Sequence, residues 1–134
     1  MAAEHDGTMA EGGLRGRRIL IVEDESMVVM LLEDFLGDIG CEVVGVGSRL
    51  EEALAHVEML EFDAAILDVN LDGQQTFSLA RDIVGRGRAV VFSTGYGAST
   101  LPPDLRNVPV LQKPFHQEDL ERTLQAALGG RAVL

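Results

Sequence analysis

The sequence has no tryptophan, one tyrosine, five phenylalanines and one cysteine in 134 residues. With so few aromatics, a core has to be built from Leu, Val, Ile, Ala and Met. The single cysteine, Cys41, cannot close an internal disulfide, which fits a reducing compartment and the role of a small buried hydrophobe. Basic residues are scarce, 11 against 22 acids, for a net charge of −11 and a pI near 4.5. That balance excludes the basic face that nucleic acid requires and otherwise favours solubility. No stretch nears the roughly 18 to 20 apolar residues of a membrane span. The N-terminus is polar and acidic, without the apolar run of a signal peptide. A cytoplasmic protein with neither nucleic acid nor membrane as partner is expected.

The length fits one domain with its own core. Residues 1–16, rich in Gly, Ala and charge and without period, read as a disordered leader, with Arg15, Arg17 and Arg18 at the approach to the first strand. The domain is expected over 17–130 and a short tail over 131–134. Five short apolar runs read as strands: Arg18–Val22, Glu42–Gly47, Ala64–Asp68, Arg88–Phe92 and Val108–Gln112. Between them apolar residues recur at helical spacing. The first helical segment starts at Ser26, and Gly37 and Gly40 help to close it. Ser48-Arg49-Leu50-Glu51 has the form of a capping box opening the second. The third runs from Phe77 to a stop at Gly85, and the last ends at Gly129-Gly130. Between the fourth and fifth strands, Gly97, Pro102 and Pro103 leave room for one turn at best. Strands alternating with helices imply parallel pairing through right-handed crossovers. The fold class is therefore α/β, a flavodoxin-like doubly wound five-stranded parallel sheet of order 2-1-3-4-5. Helices cover both faces, and the fourth is short or disrupted.

In such a sheet ligands sit at the carboxyl ends of the strands. Here strand one ends in Glu23 and Asp24, strand three in Asp68, strand four in Thr94 and strand five in Lys113. Each alone has a structural explanation, but their joint arrival at neighbouring strand ends points to one crevice. Carboxylates 4 Å apart repel by about 1 kcal/mol in water and about 4 at an effective dielectric of 20. A hard divalent cation such as Mg2+ relieves that cost. With the Lys113 ammonium and the Thr94 hydroxyl, the set suits phosphoryl transfer, and Asp68 suits the nucleophile that forms an aspartyl phosphate.

The runs I-L-I-V-E-D, A-I-L-D-V-N-L-D-G, V-V-F-S-T-G-Y and L-Q-K-P-F, spread from Ile19 to Phe115, resemble the receiver (CheY-like) domain of two-component response regulators. The resemblance implies that Asp68 accepts a phosphoryl group from a phosphohistidine of a sensor histidine kinase or histidine phosphotransfer protein. It implies Mg2+ held by Asp24, Asp68 and the backbone carbonyl of Asn70, with Glu23 acting through a metal-bound water. Thr94 and Lys113 would contact the phosphoryl group, and the Lys113–Pro114 peptide would be cis. F-S-T-G-Y is similar to a subgroup of single-domain receivers in signalling with HWE-type kinases.

Two departures stand out, and one is that the fourth helix, commonly part of the output face, is broken up by Pro102 and Pro103. Many receivers carry an aromatic switch residue three positions before the lysine, where this chain has Val110. Tyr96, two residues past Thr94, is a candidate replacement, or simply packs over its loop. His5, His56 and His116 share no metal-ligand spacing. The leading expectation is a phosphorylation-controlled interaction protein that catalyses only its own phosphorylation and dephosphorylation. A phosphate shuttle or sink in a phosphorelay is the alternative. A Mg2+-dependent phosphohydrolase of haloacid-dehalogenase type fits less well, because Asn70 stands where those enzymes place a second acid. An adaptor that is never phosphorylated fits least, given the full set of acids, Thr and Lys.

Overall fold

The computed structural model describes residues 13–95 and 100–133, with side chains to residue 129. Strands β1 (Arg18–Val22), β2 (Glu42–Gly47) and β3 (Ala64–Asp68) coincide with the first three apolar runs. Helix α1 (Ser26–Ile39) links β1 to β2, and α2 (Leu50–Met59) links β2 to β3. The chain then forms a small hairpin, β4 (Asn70–Leu71) against β5 (Gln74–Gln75), before helix α3 (Phe77–Gly85). Strand β6 (Ala89–Thr94), a 3-10 turn at Pro103–Leu105, strand β7 (Val110–Gln112) and helix α4 (Gln117–Val133) follow. The main sheet is parallel throughout, in the order β2-β1-β3-β6-β7. Counted along those five strands alone, this is 2-1-3-4-5.

Successive residues of a strand face opposite sides, so a strand covered by helices on both sides must be apolar at every position. Ile19 and Ile21 of β1 join the layer under α1 and α4, where Leu32, Leu36, Leu120 and Leu124 pack. Leu20 and Val22 join the layer under α2 and α3, with Val57, Leu79 and Ile83. Each layer holds one edge-to-face aromatic pair, Phe35 with Phe115 at 6.2 Å and Phe77 with Phe92 at 5.9 Å. Four of the six aromatics thus serve as paired wedges between aliphatic side chains. No helix among the described residues is long and apolar enough to cross a membrane.

Several boundaries differ from the sequence reading. The fourth strand begins at Ala89, because Arg88 turns its guanidinium to the Leu60 carbonyl (3.1 Å) and over the Phe62 ring (4.5 Å). The fifth begins at Val110, after Pro109, which has no N–H to offer a ladder. The Ser48 amide and hydroxyl both donate to Glu52 (2.9 and 3.2 Å), not to Glu51, because Arg49 occupies the N-cap and shifts the box by one residue. Gly85 is the last residue of α3, and the left-handed turn falls on Gly87 (φ 81°). Gly37 lies within α1, which Gly40 ends with φ 101°. Helix α4 passes through Gly129-Gly130 to Val133.

Of the stretch read as a leader, residues 1–12 lie outside the described residues. Leu14 is buried in the α1/α4 layer. Its carbonyl accepts from the Cys41 thiol at 3.3 Å, and Gly16 donates to the Gly40 carbonyl at 2.8 Å. Cys41 is only half-buried, yet desolvation pushes its thiol up to about 11, with Arg17 pulling the other way. It stays protonated at neutral pH.

Two glycine substitutions test the packing in opposite directions. A Cβ at Gly47 would stand 3.0 Å from the Ala53 Cα of α2, a backbone atom, so Gly47→Ala is expected to cost about 1–3 kcal/mol. A Cβ at Gly37 meets nothing within 4 Å, so Gly37→Ala in the helix should stabilise by roughly 0.4–1 kcal/mol. Chemical denaturation of the two variants reads both signs.

Candidate functional site

Parallel register puts the acidic groups in one row. Val22 pairs with Leu67, so Glu23 follows beside Asp68, and Asp68 pairs with Ser93. Glu23 is almost fully buried, Asp68 nearly so, and Asp24 is exposed. One carboxylate oxygen from each lies within 4.8 Å of the others. Lys113, the only lysine in the chain, follows β7 and reaches across to them. Its Nζ lies 3.3 Å from Glu23 Oε1, 3.5 Å from Asp68 Oδ2 and 3.7 Å from Glu25 Oε1. The Lys113 amide also donates to the Thr94 carbonyl (2.9 Å), which ties the end of β7 to the end of β6. Thr94 is buried, and the Lys113–Pro114 peptide is cis. Glu23, Asp24, Asp68, Thr94 and Lys113 therefore meet at one end of the sheet. Tyr96 lies outside the described residues.

The electrostatics follow from the crowding. Burial, and after it the neighbouring Asp68 charge, push the Glu23 carboxyl up to about 7, against the pull of Lys113 and the Glu25 amide. Burial lowers the Lys113 ammonium, but Glu23, Asp68 and Glu25 outweigh it and the net shift is upward. Glu23 Oε2 accepts the Glu25 amide at 3.2 Å, whereas Oε1 accepts no hydrogen bond of good geometry among the described residues. A buried carboxylate oxygen left with only a shared counter-charge, beside two further carboxylates, is a hard oxygen donor set of the kind Mg2+ takes. The residues present fit that ion.

The polypeptide after Asp68 forms a defined turn that the sequence reading did not name. Asp72 (φ 51°) and Gly73 (φ 86°) occupy a two-residue hairpin turn with positive φ at both positions. Asp-Gly is among the strongest sequence signals for that turn, and it stands in the chain. The Asn70 side chain closes the hairpin by accepting the Gly73 amide at 2.9 Å, and the Asn70 amide donates to Asp68 Oδ1 at 3.3 Å. Thr76, also missed, is fully buried at the N-terminal end of α3. Its hydroxyl donates to the Asp68 carbonyl at 2.8 Å and its amide to the Val69 carbonyl at 3.0 Å. The hairpin is thus pinned at both ends, and the backbone of Asp68 is fixed. His56 bonds the Val46 carbonyl at 3.1 Å, and the His116 amide is capped by Asp119 at 2.9 Å; neither imidazole reaches the acids.

The family model for the response regulator receiver domain matches residues 19–125. This chain belongs to that family. The receiver is 30% identical over 116 residues to Transcriptional regulatory protein PdtaR of Mycobacterium tuberculosis, covering 84% of this chain and 57% of PdtaR. It therefore spans little more than half the length of that relative. It is also similar to the solution structure of SdrG from Sphingomonas melonis Fr1, with 41% identity and a TM-score of 0.76, over 84% of this chain and 97% of that one. The BeF3-activated conformation of SdrG, from Pseudomonas melonis Fr1, matches at 42% identity and a TM-score of 0.73, over 83% and 95% of the two chains. Phosphorylation-based signalling is the function of the receiver family to which the chain belongs.

Two measurements probe the site in the cation-free receiver. Because Glu23 in the fold titrates near 7 against 4.5 unperturbed, the folded protein holds an extra proton between those values. Stability should then fall as pH rises through about 4.5 to 7. Urea midpoints across that range should show the decline, and Glu23→Gln should flatten it. Thr76→Val leaves the buried Asp68 carbonyl without its donor and is expected to destabilise by about 1–3 kcal/mol in the same assay.

Proposed function

We propose that this receiver takes a phosphoryl group on Asp68 from a phosphohistidine of a sensor histidine kinase or phosphotransfer protein, and signals through phosphorylation-dependent protein contacts. The observation that carries the reading is the convergence of Lys113 on Asp68 and Glu23 beside Asp24. In the step, an Asp68 carboxylate oxygen attacks phosphorus, the P–N bond to the imidazole breaks, and the imidazole keeps the electron pair and takes a proton. Asp24, Asp68 and the Asn70 backbone carbonyl would hold Mg2+, with Glu23 acting through a bound water. When bound, the ion supplies positive charge against the transferring phosphoryl oxygens.

This chain's own groups do the rest. Lys113 leaves Glu23 to pair with the incoming group, and the Thr94 hydroxyl donates to it. The hairpin and Thr76 hold the Asp68 backbone so that the nucleophile arrives pre-oriented. The F-S-T-G-Y run supports HWE-type kinases as donors, the acidic composition argues against nucleic acid as partner, and the single cysteine supports a reducing, cytoplasmic setting. Val110 in place of an aromatic, and Pro102 and Pro103 in the segment where a fourth helix would run, support an output that does not use the common aromatic switch.

Incubation with acetyl phosphate and Mg2+ should add one phosphoryl mass, and Asp68→Ala or chelation should abolish it. Because Lys113 is the only lysine, lysine-selective 13C labelling gives one side-chain NMR signal, which should shift when beryllofluoride and Mg2+ are added. Equal labelling of Asp68→Ala would overturn the assignment.

A further inference from the structure

We propose that the Ser93 hydroxyl is a hydrogen-bond partner held for the phosphorylated form of Asp68; the inference rests on Asp68 being the phosphoacceptor. Ser93 is fully buried on β6. Ala89 and Val91 of that strand face the α1/α4 layer, and by alternation so does Ser93. Ala64 and Ile66 place Asp68 on the same side of β3. The two residues are register partners, so their side chains stand abreast, one strand spacing of ~4.8 Å apart.

On its other flank Ser93 pairs with Leu111, two residues before Lys113. For Nζ to come within 3.5 Å of Asp68 Oδ2, the lysine side chain must cross the end of β6 above Ser93. The serine therefore sits beneath the ion pair that the phosphoryl group is to rearrange.

Its hydroxyl has no hydrogen-bond partner among the described residues. An alanine or valine in that layer would leave nothing unpaired, and buried hydroxyls without partners are rare because they lose water and gain nothing. In the resting site both Asp68 oxygens are already engaged, Oδ1 by the Asn70 amide and Oδ2 by Lys113. Phosphorylation adds acceptor oxygens to this side chain and draws Lys113 towards them. An acyl phosphate oxygen then comes within reach of the waiting O–H. Ser93 is a positioning residue for the phosphorylated state, and its unpaired hydroxyl biases the protein towards that state.

The test compares Ser93→Ala and Ser93→Thr with the wild-type chain in three readouts: thermal midpoint without ligand, Mg2+ affinity, and beryllofluoride affinity at saturating Mg2+. Ser93→Ala should keep the resting midpoint or raise it, and bind Mg2+ as before. It should bind beryllofluoride about tenfold more weakly, with Ser93→Thr recovering most of the loss. Beryllofluoride affinity of Ser93→Ala within twofold of wild type would overturn the proposal. So would a clear fall in its resting midpoint, which would mean the hydroxyl is already partnered. A wild-type chain that neither binds beryllofluoride nor takes phosphate would overturn the Asp68 assignment, and this inference with it.

Discussion

Lys113 Nζ stands within 3.7 Å of three carboxylates, and the acidic end of the sheet keeps its shape because that ammonium is there. Glu23 and Asp68 are both buried, and both repel Asp24. One positive charge shared among them cannot neutralise the set, and the Glu23 carboxyl is raised first by its burial and then by the Asp68 charge beside it. The site is left short of positive charge. That shortage is what makes a divalent cation a favourable arrival. The lysine amide meanwhile clamps β7 to β6, so the charge that serves the site also secures the edge of the sheet.

The remainder of the fold is built to hold that end still. Two apolar layers grip the sheet from both sides, and the strands between them are apolar at nearly every position. Buried side-chain atoms without a hydrogen bond among the described residues, Glu23 Oε1 and Ser93 Oγ, lie in one row across β1 and β6, either side of Asp68. The core thus satisfies its own polar groups, Thr76 included, and leaves its deficits where a ligand arrives.

The first three strands were legible to the residue, because short apolar runs closed by charge at the ends of β1 and β3, and by Gly47-Ser48 at the end of β2, leave little freedom about where pairing stops. The fourth and fifth were displaced at their starts by Arg88 stacking on Phe62 and by Pro109, which are tertiary and backbone effects that hydrophobic pattern does not carry. The acids, threonine and lysine were visible because topology alone sends those strand ends to one place. Thr76 was not, since a threonine at a helix start looks like any cap until its hydroxyl is seen on the Asp68 carbonyl. The Asp72-Gly73 hairpin was readable from its dipeptide, but two-residue strands carry no apolar period to call attention to it. Ser93 was hidden for another reason: alternation gives it a face, but only packing shows that nothing there bonds to it.

All but one of the cationic side chains in this chain are arginines. The only side-chain amine is therefore the one holding Glu23 and Asp68 together, and it is partly exposed. Acylation of lysine discards its charge. On most proteins such chemistry has many surface targets and mild effects. On this chain it has one side-chain target, and an acyl cap there would set two buried acids against each other with no counter-charge between them. Acylation of a lysine side chain can thus touch this protein only at its acidic centre.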